Sequence, residues 1–362
     1  MYSQFDGLEE QLKAERNKVD VSNINFSTRE IVRMYMDDEL IIAPSYQRKY
    51  RWPKNVASKF IESIFLGLPI PPIFVATNDN FTWEVVDGLQ RISTLILYMT
   101  DDAEVRDEIS HSSDALRLES LENLSQLNDT VYADLPRPLQ LYLARQPLQV
   151  VSLTDKSNKS VRFDLFERLN TGSISLSAQE VRTAVYRGEF LSFIEELAGN
   201  EHLNGLLKLQ EANKNDGTIA EQVLKFFAYK NDSNSFTGAV TNFLNEFIVK
   251  VENGHTLFDY ERERGIFSDT MKYLYTLTDG PFLRDRTYVT PLVQFEAAAV
   301  GAGQLIQDGK HLAQPSADWL NDREFVASST RGSNTRSMLN RRITRAKQLF
   351  SGDNTSNELH DS

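Results

Sequence analysis

The sequence predicts an α+β fold, in which a small mixed β-sheet with helices is followed by a mostly α-helical C-terminal region. Short runs rich in β-branched and aromatic residues alternate with helical patterns in the first half of the chain. From residue 191 to 350, apolar residues recur mostly at helical spacing. A chain of 362 residues is long for one compact core, so we expect two packed units.

Capping and chain-breaking residues delimit the first elements. Ser27 and Glu30 form a capping box, which predicts the start of a short helix, and residues 39–43 predict a short strand. Pro53 suits the first turn of a second helix, which Gly67 and the prolines after it must end.

A hairpin and a strand-to-helix connection come next. Residues 73–76 and 81–86 flank a polar turn and predict two antiparallel strands. The tight connection at 87–91 then leads into an apolar segment that predicts a helix. Residues 100–134 are polar and net acidic, so we expect a surface excursion, and residues 148–153 alternate as another strand does.

Later helices are marked in the same way. Residues 159–169 have helical periodicity, and Gly172 suits a left-handed cap after it. Ser177 and Glu180 form a second capping box that opens the next helix.

Composition narrows the class of protein. The formal charge of -12 argues against global electrostatic binding of nucleic acid or an anionic membrane, so any DNA contact must be local. The absence of cysteine excludes disulfides and thiolate metal sites, and it fits a reducing compartment. Residues 1–20 lack the apolar core of a signal peptide, and no apolar run elsewhere approaches the ~20 residues of a spanning helix, so we expect a cytoplasmic protein without membrane contact.

The connection from Asp87 to Arg91 is the first candidate site. A loop that runs from a strand end into a helix start exposes backbone N–H donors beside the positive end of the helix dipole. Gly88 lets the backbone approach a ligand, Arg91 can fork onto a phosphate, and Asp87 can hold a ribose hydroxyl, a metal-bound water or the arginine. A plain turn, with Asp87 as helix cap and Arg91 in solvent, stays open as the alternative.

The second candidate is Tyr46-Gln47-Arg48, which combines an aromatic plane, an amide and a guanidinium. These groups can stack on a base and grip a phosphate. The alternative is a partly buried tyrosine beside two solvated polar residues.

Motifs occur in a fixed order through the first half of the chain. They are Tyr46-Gln47-Arg48 followed by Trp52, Leu68-Pro69-Ile70-Pro71, Asp87-Gly88-Leu89-Gln90-Arg91, the run from Phe166 to Gly172, and Leu176-Ser177 with Glu180. Together they resemble the N-terminal domain family of the GmrSD restriction endonucleases. The resemblance implies a ParB/sulfiredoxin-like nucleotide-binding fold at 25–190, after an extension at 1–24. A helical domain at 191–350 and a flexible tail at 351–362 would follow.

The resemblance also implies a function: binding, and in some members hydrolysis, of a nucleoside triphosphate (NTP) with Mg²⁺, coupled to cleavage of modified phage or foreign DNA. Carried over by position, Asp87 and Arg91 are catalytic candidates. The nucleotide-binding candidates are Tyr46, Gln47, Arg48, Gly88, Gln90, Asn170, Thr171 and Gly172. A C-cap without ligand contact is the alternative for the last three. The family loop usually has glutamine where this chain has Leu89, which leaves hydrolysis open more than binding.

Nuclease-bearing relatives have a His-Asn-His type domain, for which this sequence has no counterpart. The histidines are scattered and none belongs to a local metal-binding cluster: His111, His202, His255, His311 and His360. We therefore expect a stand-alone regulatory component of a bacterial anti-phage restriction system, with a separately encoded nuclease and no protein metal site. A homo-oligomer is compatible with the sequence. The alternative function is a non-catalytic DNA-binding or partner-binding module of the same fold.

A basic run near the C-terminus is the last candidate. Leu339 and Ile343 belong to an apolar stripe at helical spacing, which predicts a helix docked on the body. Its outer face would carry four candidate DNA contacts: Arg336, Arg341, Arg342 and Arg345. A solvated face or an interface to the acidic body is the alternative.

Overall fold

The protein was analysed as a computed structural model. It describes residues 7–16, 20–42, 50–78, 80–153, 163–164, 168, 177–186, 188–214, 216–330 and 334–351. The chain divides into two compact units, residues 1–175 (unit 1) and 176–362 (unit 2). Both the α+β class and the mostly helical C-terminal region are confirmed.

Unit 1 contains a five-stranded sheet and six α-helices within its described residues. The elements are α1 Leu8–Arg16, β1 Val21–Ser27, α2 Thr28–Met36, β2 Leu40–Ile41, α3 Lys54–Phe65, β3 Ile73–Thr77, β4 Trp83–Asp87, α4 Leu89–Met99, α5 Ala103–Ser110, α6 Arg137–Ala144 and β5 Pro147–Leu153. The strand order is β1-β5-β3-β4-β2. Strands β1 and β5 are antiparallel, β5 and β3 parallel, β3 and β4 antiparallel, and β4 and β2 parallel. The predicted hairpin is confirmed as β3–β4.

The core of unit 1 lies between the sheet and its helices. Ile92 and Leu95 on α4 are buried, as are Ile61 on α3 and Val150 on β5. Their spacing explains the elements, because helical periodicity on α3 and α4 and alternation on β5 each direct one apolar face inward.

The expectation of a surface excursion over residues 100–134 was wrong. Four leucines in this stretch, Leu116, Leu118, Leu121 and Leu127, are buried in the core of unit 1. Leu116, Leu118 and Leu121 lie in irregular structure and Leu127 lies in a one-turn 3-10 helix, so no α-helix or strand accounts for their burial. Only the tertiary fold shows that these leucines cover the core.

All regular secondary structure in the described residues of unit 2 is helical. Its helices are α7 Ala178–Val185, α8 Glu189–Ala198, α9 Glu201–Leu206, α10 Thr218–Asp232, α11 Val240–Glu252, α12 Tyr260–Thr278, α13 Leu292–Gln307, α14 Arg323–Ser328 and α15 Arg336–Ser351. Aromatic rings fill its core, with Phe227 packed against Phe193, Phe258 and Phe267. None of the helices in the described part of the chain is long and apolar enough to cross a bilayer.

Candidate functional site

The connection between β4 and α4 is built around one glycine. Gly88 has φ 106° and ψ 8°, in the left-handed region, and a Cβ at this position would lie 3.1 Å from Cγ1 of Ile73. Both constraints favour glycine, so its sequence position reflects the turn and the packing of Ile73. In the described part of the chain, no side chain caps α4. The N–H donors of its first turn therefore lack a side-chain acceptor.

Arg91 holds this connection against the segment before β3. Its Nη2 lies 2.5 Å from Oδ2 of Asp87, and its Nη1 donates to the carbonyl oxygens of Pro71 and Pro72. The Arg91 side chain is 12% exposed and that of Asp87 is 43% exposed. Asp87 thus restrains the arginine, one of the roles we allowed it, and the alternative of an Asp87 cap with a solvated Arg91 was wrong.

Sequence reasoning did not identify the carbonyls of Pro71 and Pro72 as partners of Arg91. The proline pair was the available signal, because proline keeps its acceptor but has no N–H with which to build regular structure. Two carbonyls and a carboxylate use three of the five guanidinium donors. Within the described residues, Nε and one Nη2 hydrogen have no acceptor.

Gln90 connects the start of α4 to the segment that precedes α3. Its Oε1 accepts hydrogen bonds from the backbone N–H groups of Arg51, at 2.8 Å, and Trp52, at 3.1 Å. One turn further along α4, Oγ1 of Thr94 lies 3.2 Å from the Tyr50 hydroxyl, and burial raises the pKa of that tyrosine. Residues 50–52 therefore lie against the first two turns of α4.

Two predicted clusters lie outside the described residues: Tyr46, Gln47 and Arg48, and Asn170, Thr171 and Gly172. Their convergence on the β4–α4 connection stays a prediction. The described chain resumes at Tyr50, two residues after Arg48, in contact with α4.

Residues 28–187 match the family model of the GmrSD restriction endonuclease, N-terminal domain. Residues 28–187 belong to this family. The GmrSD N-terminal domain match begins at α2, includes the β4–α4 connection and ends after α7. The description of this family suggests that residues 28–187 belong to a component of a restriction system. Neither a curated protein nor a solved structure matches the chain.

The last motif of the GmrSD N-terminal domain has a structural role in unit 2. Ser177 and Glu180 form the predicted capping box at the start of α7, with Oγ of Ser177 3.1 Å from the Glu180 N–H and Oε2 of Glu180 2.7 Å from the Ser177 N–H. The Ser177 hydroxyl also donates to the carbonyl oxygen of Asp216. Both side chains therefore fix the start of α7.

The predicted basic outer face of α15 was wrong for Arg342, which is buried and lies 4.0 Å from Glu296. Arg345 pairs with Asp322 at 2.7 Å, and Arg341 with Glu324 at 3.1 Å. These arginines face acidic partners in unit 2 because α15 packs on α13 and α14. This is the interface that we gave as the alternative.

Arg336 is likewise engaged with the protein, since its Nε donates to the Phe236 carbonyl oxygen at 2.9 Å. Within the described residues, no group of three His, Asp or Glu side chains could hold a metal ion. The β4–α4 connection is therefore the candidate site that combines a helix start without a side-chain cap and a partly exposed Asp87 carboxylate.

Proposed function

We propose that this chain binds a nucleoside triphosphate at the β4–α4 connection and acts as the nucleotide-dependent regulatory component of a modification-dependent restriction or anti-phage defence system. A separately encoded nuclease completes the system in this proposal. The match to the GmrSD N-terminal domain supports a role in a restriction system. The geometry around Gly88 and Arg91 supports the proposal that the ligand carries phosphate groups.

One observation carries the proposal: Gln90 binds the backbone of Arg51 and Trp52. This contact brings the chain that follows Tyr46-Gln47-Arg48 to the start of α4, where the first-turn N–H groups favour an anion. A triphosphate needs several donors at once, and two short segments held together can supply them from both sides.

The side chains at the connection have complementary roles in this proposal. Arg91 contributes Nε and its remaining Nη2 hydrogen to a phosphate oxygen. Asp87 offers a partly exposed carboxylate oxygen, which suits a ribose hydroxyl or a water of the Mg²⁺ that accompanies an NTP. The bound ion would supply charge neutralisation on the phosphates.

Binding of labelled ATP, GTP, CTP and UTP with Mg²⁺ to the full chain tests the proposal. We expect Arg91→Ala and Arg48→Ala each to weaken binding at least about tenfold, because each removes charge-assisted donors. Arg51→Ala is the matched control, since it keeps the backbone N–H that binds Gln90. An Arg91→Ala variant that melts normally and keeps its NTP affinity would overturn the proposal.

A second candidate, a non-catalytic DNA-binding or partner-binding module, is favoured by Leu89. This side chain is partly buried and packs on the core of unit 1, so its position provides no amide to a ligand. Released phosphate, measured with and without modified DNA, separates the candidates. Turnover that disappears in Asp87→Asn supports a hydrolysing form of the first candidate, whereas DNA binding with neither NTP binding nor turnover supports the non-catalytic module.

A further inference from the structure

Strand β1 forms one edge of the sheet, and its outward backbone groups can be assigned. Thr28 continues the β1–β5 register, and its N–H donates to the Gln146 carbonyl oxygen at 2.9 Å. Because bonding residues alternate along an antiparallel pair, Phe26, Ile24 and Ser22 also bond to β5. The N–H and C=O groups of three residues therefore point away from the sheet: Val21, Asn23 and Asn25. Ser27 adds an outward N–H, but its C=O accepts the first hydrogen bond of α2 because Ser27 is the N-cap of that helix.

The residue opposite Ser27 supports this assignment. It is Pro147, which has no N–H to donate and so fits a position where the ladder needs none. The register from Val21 to Ser27 is continuous, without a bulge. Within the described residues, no further strand pairs with β1. The edge is therefore a regular strand of seven residues on which a further strand can pair.

This edge lacks the features that usually prevent strand pairing. Residues 21–27 contain no charge and no proline, although edge strands are commonly blunted by lysine, proline or a bulge. Val21 is 44% exposed and Ile24 is 37% exposed. Ile24 lies on the same face as Phe26, whose ring packs on the core, so the apolar face of the sheet continues to an uncovered margin.

We infer that β1 pairs antiparallel with β1 of a second copy of this chain. The sequence Asn23-Ile24-Asn25 is symmetric about Ile24. A two-fold axis at Ile24 sets Asn23 opposite Asn25 of the second copy and Val21 opposite Ser27 of the second copy. Asn23 and Asn25 then form doubly hydrogen-bonded pairs, and the Ser27 N–H donates to the Val21 C=O of the second copy. The two Ile24 side chains meet across the axis.

The inferred pairing closes as a dimer. The opposite edge of the sheet is β2, which pairs through only two residues in the described part of the chain, so it offers β1 too short a partner for head-to-tail growth. A single strand pair covers less than the roughly 1,200 Å² of a stable interface. Helix α1 can supply further interface area, because all nine of its residues are exposed. A helix this short is stabilised mainly by packing against other elements.

Cysteine cross-linking tests the register directly, because the chain has no cysteine of its own. In the inferred dimer, the Cβ atoms of the two Ile24 residues face each other in a non-hydrogen-bonded pair, within reach of a disulfide. We expect Ile24→Cys to form a covalent dimer on mild oxidation. Phe81→Cys, at a hairpin tip that is 79% exposed, is the control and should remain uncross-linked. Equal cross-linking of the two variants would overturn the inference.

Light scattering of the full chain gives an independent test. We expect a mass of twice 41.3 kDa at high concentration. Asn25→Pro removes an outward N–H while leaving the β5 ladder, so it should weaken dimerisation at least about tenfold, whereas Asn25→Ala should not. A monomer at about 100 µM would contradict the inference, since weak specific interfaces form in that range. So would a dimer that Asn25→Pro leaves unchanged in a normally melting protein.

Discussion

The β4–α4 connection in unit 1 and a buried charge cluster in unit 2 both contain arginine paired with carboxylate, yet they differ in access. The charge cluster consists of Arg182, Glu221, Lys225, Glu296 and Arg342. Arg182 lies 2.8 Å from Glu221, and Lys225 lies 2.9 Å from Glu221 and 3.0 Å from Glu296. Each of its charged groups thus lies beside a group of opposite charge in unit 2. At the β4–α4 connection, by contrast, the Asp87 carboxylate is partly exposed and the helix start has no side-chain cap.

This difference shows that an arginine within the residues that match the family does not by itself indicate a ligand site. Arg182 follows the Ser177-Glu180 capping box, but its guanidinium is used by Gln179, Asn245 and Glu221 to join α7 to α10 and α11. Arg91 also has protein partners, but it lies beside the first turn of α4, whose backbone N–H groups have no side-chain cap. Burial and the surrounding acceptors separate the two roles.

The largest effect should come from opening the charge cluster. Arg182→Met removes one member of a buried network and leaves Gln179 and Asn245 without their donor, so we expect a loss of about 3–5 kcal/mol in the free energy of unfolding. Urea unfolding followed by circular dichroism measures it. Arg264→Met is the matched control, because its partner Glu196 is exposed, and it should change stability little. Equal losses in both variants would contradict the comparison.

The charge cluster should also make stability depend on acid pH. Burial by itself raises the pKa of Glu221, but Lys225 and Arg182 outweigh it and lower that pKa from 4.5 to about 2. A carboxyl with a lowered folded-state pKa stabilises the fold above its unfolded pKa, and this contribution is lost as the pH falls from 4.5 towards 2. The full contribution is roughly 3 kcal/mol.

Unfolding titrations of the native chain and Glu221→Gln between about pH 6 and pH 3 measure this dependence. Glutamine cannot titrate, so the native chain should lose more stability than the variant as the pH falls. Parallel curves for the two proteins would show that Glu221 is not the group responsible.

Gly88→Ala tests how strongly the backbone of the β4–α4 connection in unit 1 is constrained. The substitution combines a left-handed φ with a Cβ 3.1 Å from Ile73, and we expect a loss of about 2 kcal/mol. Gly67→Ala is a control with φ +67° and nothing within 4 Å of the added Cβ, so it should lose about 1 kcal/mol. A larger loss for Gly67→Ala in urea unfolding would show that Ile73 does not constrain the connection.

Gln90→Leu should give the smallest change in stability. It deprives two backbone N–H groups of their acceptor and should cost about 1–2 kcal/mol. Gln90→Glu keeps an oxygen at the same place and should retain most of the stability. If the connection is the NTP site, Gln90→Leu also weakens NTP binding, because residues 50–52 lose their anchor. Unchanged stability in both variants would show that Gln90 does not hold residues 50–52 against α4.

Much of the fold followed from local patterns. The hairpin β3–β4 came from a polar turn between two β-rich runs, and the capping box at Ser177 was confirmed. At Ser27 only the serine cap was confirmed, because the Glu30 carboxylate pairs with Arg33 instead of the Ser27 N–H. These signals are local in sequence, since a cap or a turn is satisfied within a few residues. The buried leucines between residues 116 and 127 belong to no α-helix or strand, so no run of regular spacing long enough to predict their burial was present.

The sequence by itself determined the α+β class, the family motifs, the glycine turn before α4 and the apolar stripe of α15. Tertiary structure alone decided which arginines are enclosed. Arg342 and Arg345 share a helix with that stripe, but their partners Glu296 and Asp322 come from other segments of the chain. Contacts between distant segments depend on how the elements pack, and no spacing within one element encodes them.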